Sequence, residues 1–465
     1  MKGQEKFDRF VAKYPHSHKF FFDRPFLTRR TFFNVLGAGV SGFFLNGSAF
    51  GQNTGVVARG NPTLINKAKN VIFVLLTGAP SHVDTFDLKV LNGTTPNSLQ
   101  PESVNGVMWP NGLMPKLASN LGDMVICRSV RSWALQHNLG QAWTQIERSP
   151  AAALGDIAPH FGSLIAVEKQ RERRGTDTFP TFLALNANDA VGSGYLPSAF
   201  APIRFSPQSN GFPDTNNADG AARFENKWSL LNTLDGRLRV NSPYSADMED
   251  MDGFYKAGRG MMFNPKVDAA FRFTTQESQK YGNSGFGNAC LTAYKVLAQD
   301  SGTRTIHISF GSWDHHQGIY DAAVLPRMTA MLDGGMSALL SDLKSSGLLR
   351  DTLVVMMGEF GRTTGRLTAQ AGRDHFLQQF AVFAGAGIKG GRVLGVTDDT
   401  GSSTKEYGWS RERDFRTEDV GATIYSAMGI NYTNIRYDDP FGRGLEYIPY
   451  AHEDLYAPIN ELWAE

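Results

Sequence analysis

The sequence predicts an α/β fold in three layers, α/β/α, around a mostly parallel central sheet. Three observations carry this prediction. Six short apolar runs have strand length and lack polar alternation, as strands covered on both faces do. Helical patterns stand between them. Several of the runs end in glycine and open into charged or imidazole-bearing residues, the way strands deliver side chains to the carboxyl edge of an open sheet.

Residues 70–77 (NVIFVLLT), bounded by Lys-Asn and Gly-Ala-Pro, read as the first strand. Residues 124–130 (MVICRSV), 181–186 (TFLALN), 304–310, 352–358 and 379–385 (QFAVFAG) repeat that style. Helical patterns cover 158–171 and 289–299. The longest, 322–349, sets Leu325, Met328, Met331, Leu332, Met336, Leu339, Leu340 and Leu343 at three-to-four spacing. The last, 418–428, stops at Gly429. Two stretches break the rhythm. Residues 186–220 are rich in Gly, Pro, Asn and Ser with scattered aromatics, and 221–281 look helical. Together they predict a loop-rich and helical cap inserted over about 186–281.

The first fifty residues read as an export signal. Thr28-Arg29-Arg30-Thr31-Phe32-Phe33 precedes a short Gly-containing apolar run, 35–45, and then small residues. This resembles a twin-arginine signal with a long n-region over 1–51, which leaves 52–465 as the folded domain. An amphipathic helix with an incidental arginine pair is the alternative. The run is shorter than the roughly 18 apolar residues of a membrane span, and no other stretch reaches that length. The expected location is periplasmic or extracellular.

Composition narrows the partners. The 46 Lys and Arg against 45 Asp and Glu give a net charge of +1, so no global field draws the chain to nucleic acid. Of 465 residues only two are cysteines, Cys127 and Cys290, both in apolar surroundings. They read as buried thiols rather than a disulfide.

The chemistry gathers at strand ends. After the first strand come Ser81, His82, Asp84 and Asp87, which suit a metal or a nucleophile, and equally a capped turn. After the strand near 310 comes Trp313-Asp314-His315-His316; Asp314 and His316 are the preferred ligands, since neighbouring loop side chains do not all reach one ion. After the strand near 358 comes Glu359-Phe360-Gly361-Arg362, and then Gly372-Arg373-Asp374-His375. Carboxylate beside guanidinium suits a metal plus an oxyanion, with simple Glu359–Arg362 and Arg373–Asp374 surface pairs as the alternative. Arg128 and His137 follow the second strand, Arg128 as an anion-binding group and His137 as either a site residue or a structural histidine.

These motifs in this order (VIFVLLTGAPSHVDTFDLK, CRSV…HN, GSWDHH, SDLKSSGLLRDTLVVMMGEFGRT, GRDHF, GGRVLGVTDDTG) resemble a bacterial exported family known as domain of unknown function 1501, over roughly 25–450. That family is in turn similar to the alkaline phosphatase and sulfatase superfamily. The resemblance implies an alkaline phosphatase-like fold and an exported, metal-dependent hydrolase of phosphate or sulfate esters, small-molecule or polysaccharide. It implies divalent metal, zinc, manganese or calcium, on Asp84, Asp87, Asp314, His316, Glu359, Asp374 and His375. Glu359 stands where the superfamily has Asp, and Phe360 where it has His. The superfamily's Cys or Ser nucleophile motif is absent; His137-Asn138 holds about that place, and Ser81 is the substitute. The catalytic set is then Ser81, His137 and Arg362, with Arg128 and Arg362 on the substrate. A catalytically degenerate envelope protein that binds polysaccharide or a partner is the alternative.

Overall fold

The computed structural model describes residues 3–4, 55–213, 215, 220–239, 256 and 258–464. The export segment read at 28–51 lies outside them. Eight strands form the central sheet: β1 Asn70–Leu76, β2 Met124–Arg131, β3 Phe182–Leu185, β4 Ile203–Phe205, β5 Thr305–Ser309, β6 Thr352–Gly358, β7 Gln378–Gly385 and β8 Arg392–Leu394. All six apolar runs form strands. Across the sheet the order is β8-β2-β7-β6-β1-β5-β3-β4.

Strand β1 runs parallel to β5 and β6, β3 parallel to β4 and β5, and β8 parallel to β2. Strand β7 is antiparallel to both neighbours, β2 and β6. Its apolar run reads like the parallel ones, but its connection differs. A parallel partner needs a crossover over one face of the sheet. The chain from β6 to β7 has no helix; it makes the small antiparallel pair Gly361–Arg362 with His375–Phe376 and turns straight back. The sheet is therefore mixed, mostly parallel.

Burial on both faces explains the unbroken apolar runs. Ile72, Val74 and Leu76 of β1 enter one core, with Phe286 and Leu291 of helix Gly285–Ala298 and Leu332 and Met336 of helix Leu325–Ser345. Val71, Phe73 and Leu75 enter the other, with Phe161 and Ile165 of helix Phe161–Glu168 and Ile424 of helix Thr417–Ala427. Gly335 lets the long helix lie on Phe286, because a Cβ there would stand 2.7 Å from that ring. The loop-rich stretch is more than a cap, since β4 within it closes one edge of the sheet. Helices Gly220–Arg239, Pro265–Phe271 and Thr275–Lys280 follow it. Cys127 and Cys290 are buried free thiols. Among the described residues no helix is long and apolar enough to cross a membrane.

Two buried histidines carry a fixed chain of hydrogen bonds under the sheet. The Gly162 N–H donates to His160 Nδ1 at 2.9 Å, so His160 Nε2 holds the proton and donates to His307 Nδ1 at 3.0 Å. His307 Nε2–H then donates to Ser309 Oγ at 3.0 Å. Burial, with Arg204 nearby, pushes His307 down to about 3, and burial holds His160 well below the usual imidazole range. An unfolded histidine takes up its proton near pH 6.5. Between pH 6.5 and about 3 the unfolded chain thus binds more protons than the folded one, and stability falls as pH falls. Urea midpoints should drop steadily across that window, with a shallower slope in His307→Gln; equal slopes would contradict this account.

Candidate metal centre

The site grows from the carboxyl ends of β1, β5 and β6. Beyond β1 the chain turns at Gly78, whose φ is +101°, and a Cβ there would stand 2.7 Å from the backbone nitrogens of Trp313 and Asp314. Only glycine lets the loop after β1 lie against the loop after β5. The loop after β6 is closed on itself by the pairing of Arg362 opposite His375. Arg373 N–H donates to His315 O at 3.0 Å, and Thr363 N–H to Asp374 O at 2.8 Å. The three strand ends are thereby stitched into one surface.

A fourth element completes it. Helix His137–Ile146 follows β2 and was not read from the sequence, although Leu139, Trp143 and Ile146 are buried at helical spacing. It presents His137 and Gln141, one turn apart, to Glu359. Oε1 of Glu359 accepts from Gly78 N–H at 2.9 Å and Gln141 Nε2 at 3.0 Å, and lies 2.6 Å from His137 Nδ1. The Glu359 backbone carbonyl accepts from Ser132 Oγ at 2.7 Å.

Three imidazoles are anchored by Nδ1. His137 donates to Glu359, His316 to Asp374 Oδ1 at 2.9 Å, and His375 to the Leu135 carbonyl at 2.7 Å. An anchored Nδ1–H leaves Nε2 as a lone pair. All three Nε2 atoms face the Asp314 carboxylate: Oδ1 lies 3.2 Å from His137, 2.9 Å from His316 and 3.6 Å from His375. His137, Asp314 and His375 offer ligand atoms within 4.8 Å of one another. Nε2 of His316 stands 3.0 Å from Nε2 of His375. The Arg362 guanidinium, 3.3 Å from His316 Nε2, donates to it, so that lone pair already has a partner.

Electrostatics match. Burial raises the Asp314 carboxyl, but the Arg362 hydrogen bond and charge outweigh it and hold it down at about 2. Burial lowers His137, and the bond to Glu359 with the charges of Glu359 and Asp314 reverses this, leaving it raised. Burial lowers His375. Phe360 lies against the rings of His137 and His375, at centroid distances of 4.8 and 4.7 Å, and seals the inner side. Outward, Asp314 and His316 open on a cavity of about 530 Å³.

The other sequence-read residues lie elsewhere in the network. Glu359 and Asp374 reach the cluster through His137 and His316. Asp84 is fully buried; Arg373 donates to it at 2.6 and 3.2 Å, Ser81 Oγ at 2.5 Å and Tyr320 OH at 2.7 Å. Ser81 is buried as well, its hydroxyl spent on Asp84. Asp87 accepts from Thr397 at 2.5 Å and pairs with Arg128, which itself donates to the Phe86 carbonyl. Arg362 is buried, with contacts for five N–H groups: the carbonyls of Ala79, Gly78 and Arg373, Asp314 Oδ1 and His316 Nε2. Neither Arg362 nor Arg373 forms the surface pair with its sequence neighbour.

A family model described as "Protein of unknown function (DUF1501)" matches residues 68–444. The chain belongs to this family. No curated protein matches it. Among solved structures it is similar to the PsFucS1 sulfatase from Pseudoalteromonas sp., at 12% identity and a TM-score of 0.37, over 78% of this chain and 68% of that one. It is similar to an alkaline phosphatase superfamily protein from Vibrio parahaemolyticus, at 9% identity and a TM-score of 0.36, over 87% and 76%. A mutant TAB5 alkaline phosphatase with Mg in its M3 site gives 12% and 0.32, over 68% and 90%.

The Asp84–Arg373 pair beneath the site is 1% exposed on both sides. Removing one member of such a pair strands the other charge, so Arg373→Ala should cost about 3–5 kcal/mol in denaturant unfolding. A loss below about 1 kcal/mol would show that Asp84 does not depend on it.

Proposed function

We propose that the protein is a metal-dependent hydrolase of phosphate or sulfate esters, with one divalent cation held by His137, His375 and Asp314. The observation that carries this reading is the convergence of three Nδ1-anchored imidazoles on one carboxylate oxygen at the mouth of a cavity. Two imidazoles and one carboxylate suit zinc better than calcium, which takes oxygen ligands. Glu359 and the Leu135 carbonyl fix the tautomers and ring angles of His137 and His375, the part that outer partners play at metal sites. A bound cation would supply Lewis acidity toward an ester oxygen. The ester chemistry itself follows from the motif resemblance to the phosphatase and sulfatase superfamily.

Within this reading the chain's own residues hold, orient and exclude. Arg362 holds the Asp314 carboxylate ionised. Phe360 keeps water off the inner faces of His137 and His375. Ser81 is occupied by Asp84, so water is the attacking group.

One observation favours a second reading. Ser81, Arg128 and Arg362 are all engaged by protein partners, which leaves none of the sequence-read substrate groups free. A catalytically silent metal protein that binds polysaccharide would look the same.

Elemental analysis of purified protein should find about one zinc per chain, lost in His137→Ala and in His375→Ala. Metal should also leave as the solution is made acidic, because each ligating Nε2 must be unprotonated. The loaded protein should turn over p-nitrophenyl phosphate or sulfate. Wild type free of metal sinks the reading; full metal without turnover, joined to polysaccharide binding, moves it to the silent protein.

A further inference from the structure

Arg362 is saturated, so a second cation must meet the substrate's anionic group if the proposed hydrolysis is correct. The cavity beside Asp314 and His316 supplies one. Arg327 lines it, is exposed, and has no ion pair or side-chain hydrogen bond among the described residues. It stands in the first turn of the 21-residue helix Leu325–Ser345, where Val324 at the N-cap gives no side-chain cap. The positive end of that helix and the Arg327 guanidinium thus face the same space.

Two further features shape the ligand. Met328 and Met331, on the face of the helix that carries Arg327, and Phe310 from the end of β5 supply an apolar wall. His315 also lines the cavity and is 6% exposed. Its Nε2 bonds to the Ser312 carbonyl at 2.9 Å and so carries the proton, leaving Nδ1 a buried lone pair without a partner. A buried acceptor left unmatched calls for a donor, which the P–OH of a phosphate monoester anion supplies and a sulfate ester does not. The volume of about 530 Å³ falls in the range of small-ligand sites.

We infer that Arg327 is the specificity-determining residue of this site: it binds the anionic group of a small ester whose organic half is apolar, an aryl or alkyl phosphate or sulfate, against Met328 and Met331. The inference rests on the hydrolase reading for its reaction but not for its binding, and that separates the tests.

The experiment titrates inorganic phosphate and inorganic sulfate into the full chain as purified, with metal content measured alongside, for wild type, Arg327→Ala and Arg327→Lys. Wild type should bind at least one of the two anions. Arg327→Ala should weaken that binding about tenfold or more, with melting temperature and metal content unchanged, and Arg327→Lys should recover part of it. With p-nitrophenyl phosphate or sulfate the Ala variant should raise KM far more than it lowers kcat, and sulfated or phosphorylated oligosaccharides should compete poorly. Equal anion binding in wild type and Arg327→Ala, or no binding in wild type, overturns the inference. Anion binding that depends on Arg327 in a protein without metal supports it and sinks the hydrolase reading alone.

Discussion

The buried guanidinium of Arg362 is the constraint on which the rest of the site depends. A cation removed from water is tolerated only when each N–H finds an acceptor. Here the acceptors are two carbonyls of the loop after β1, one carbonyl beside Asp374, the Asp314 carboxylate and His316 Nε2. One side chain therefore ties together the three loops that carry the cluster. It also sets the local charge, since the carboxylate that three imidazoles face is ionised because Arg362 stands beside it. Beneath it, Arg373 and Asp84 repeat the device one layer deeper as a pair buried on both sides, whereas the Asp314 partner of Arg362 reaches solvent.

On that floor the histidines are ordered by their outer nitrogens. Each Nδ1 is spoken for by a carboxylate or a carbonyl, and each Nε2 is turned inward. Glu359 organises the helix side: one oxygen gathers Gly78, Gln141 and His137, and Gly140 permits the approach, since a Cβ there would lie 3.0 Å from that of Glu359. The resulting geometry is dense in nitrogen and poor in free hydroxyls and guanidinia.

Much of this was legible in the chain. The unbroken apolar runs report burial on both faces, and all six are strands. Asp314 and His316 were readable because they follow a strand and a glycine, and His375 because it closes the Gly372-Arg373-Asp374-His375 motif. His137 was readable only as one of two alternatives. Less legible was the direction of β7, because an apolar run carries no sign of the strand's polarity; the helix-free connection decides it. Helix His137–Ile146 had its signal, buried Leu139, Trp143 and Ile146 at helical spacing, yet Gln141 has no mark that separates it from any surface glutamine.

By itself the sequence determined the layered α/β fold, the sheet edge that carries the chemistry and the residue types available there, because periodicity and strand-end glycines are local properties. Only the tertiary structure decided which of those residues face each other. Asp84 and Glu359 are both acidic residues just past a strand end; one is neutralised by a buried arginine and the other orients a histidine. The difference lies in their partners at positions 373 and 137, hundreds of residues away, and pairing across such distances is set by how the strands are ordered, which no local pattern encodes.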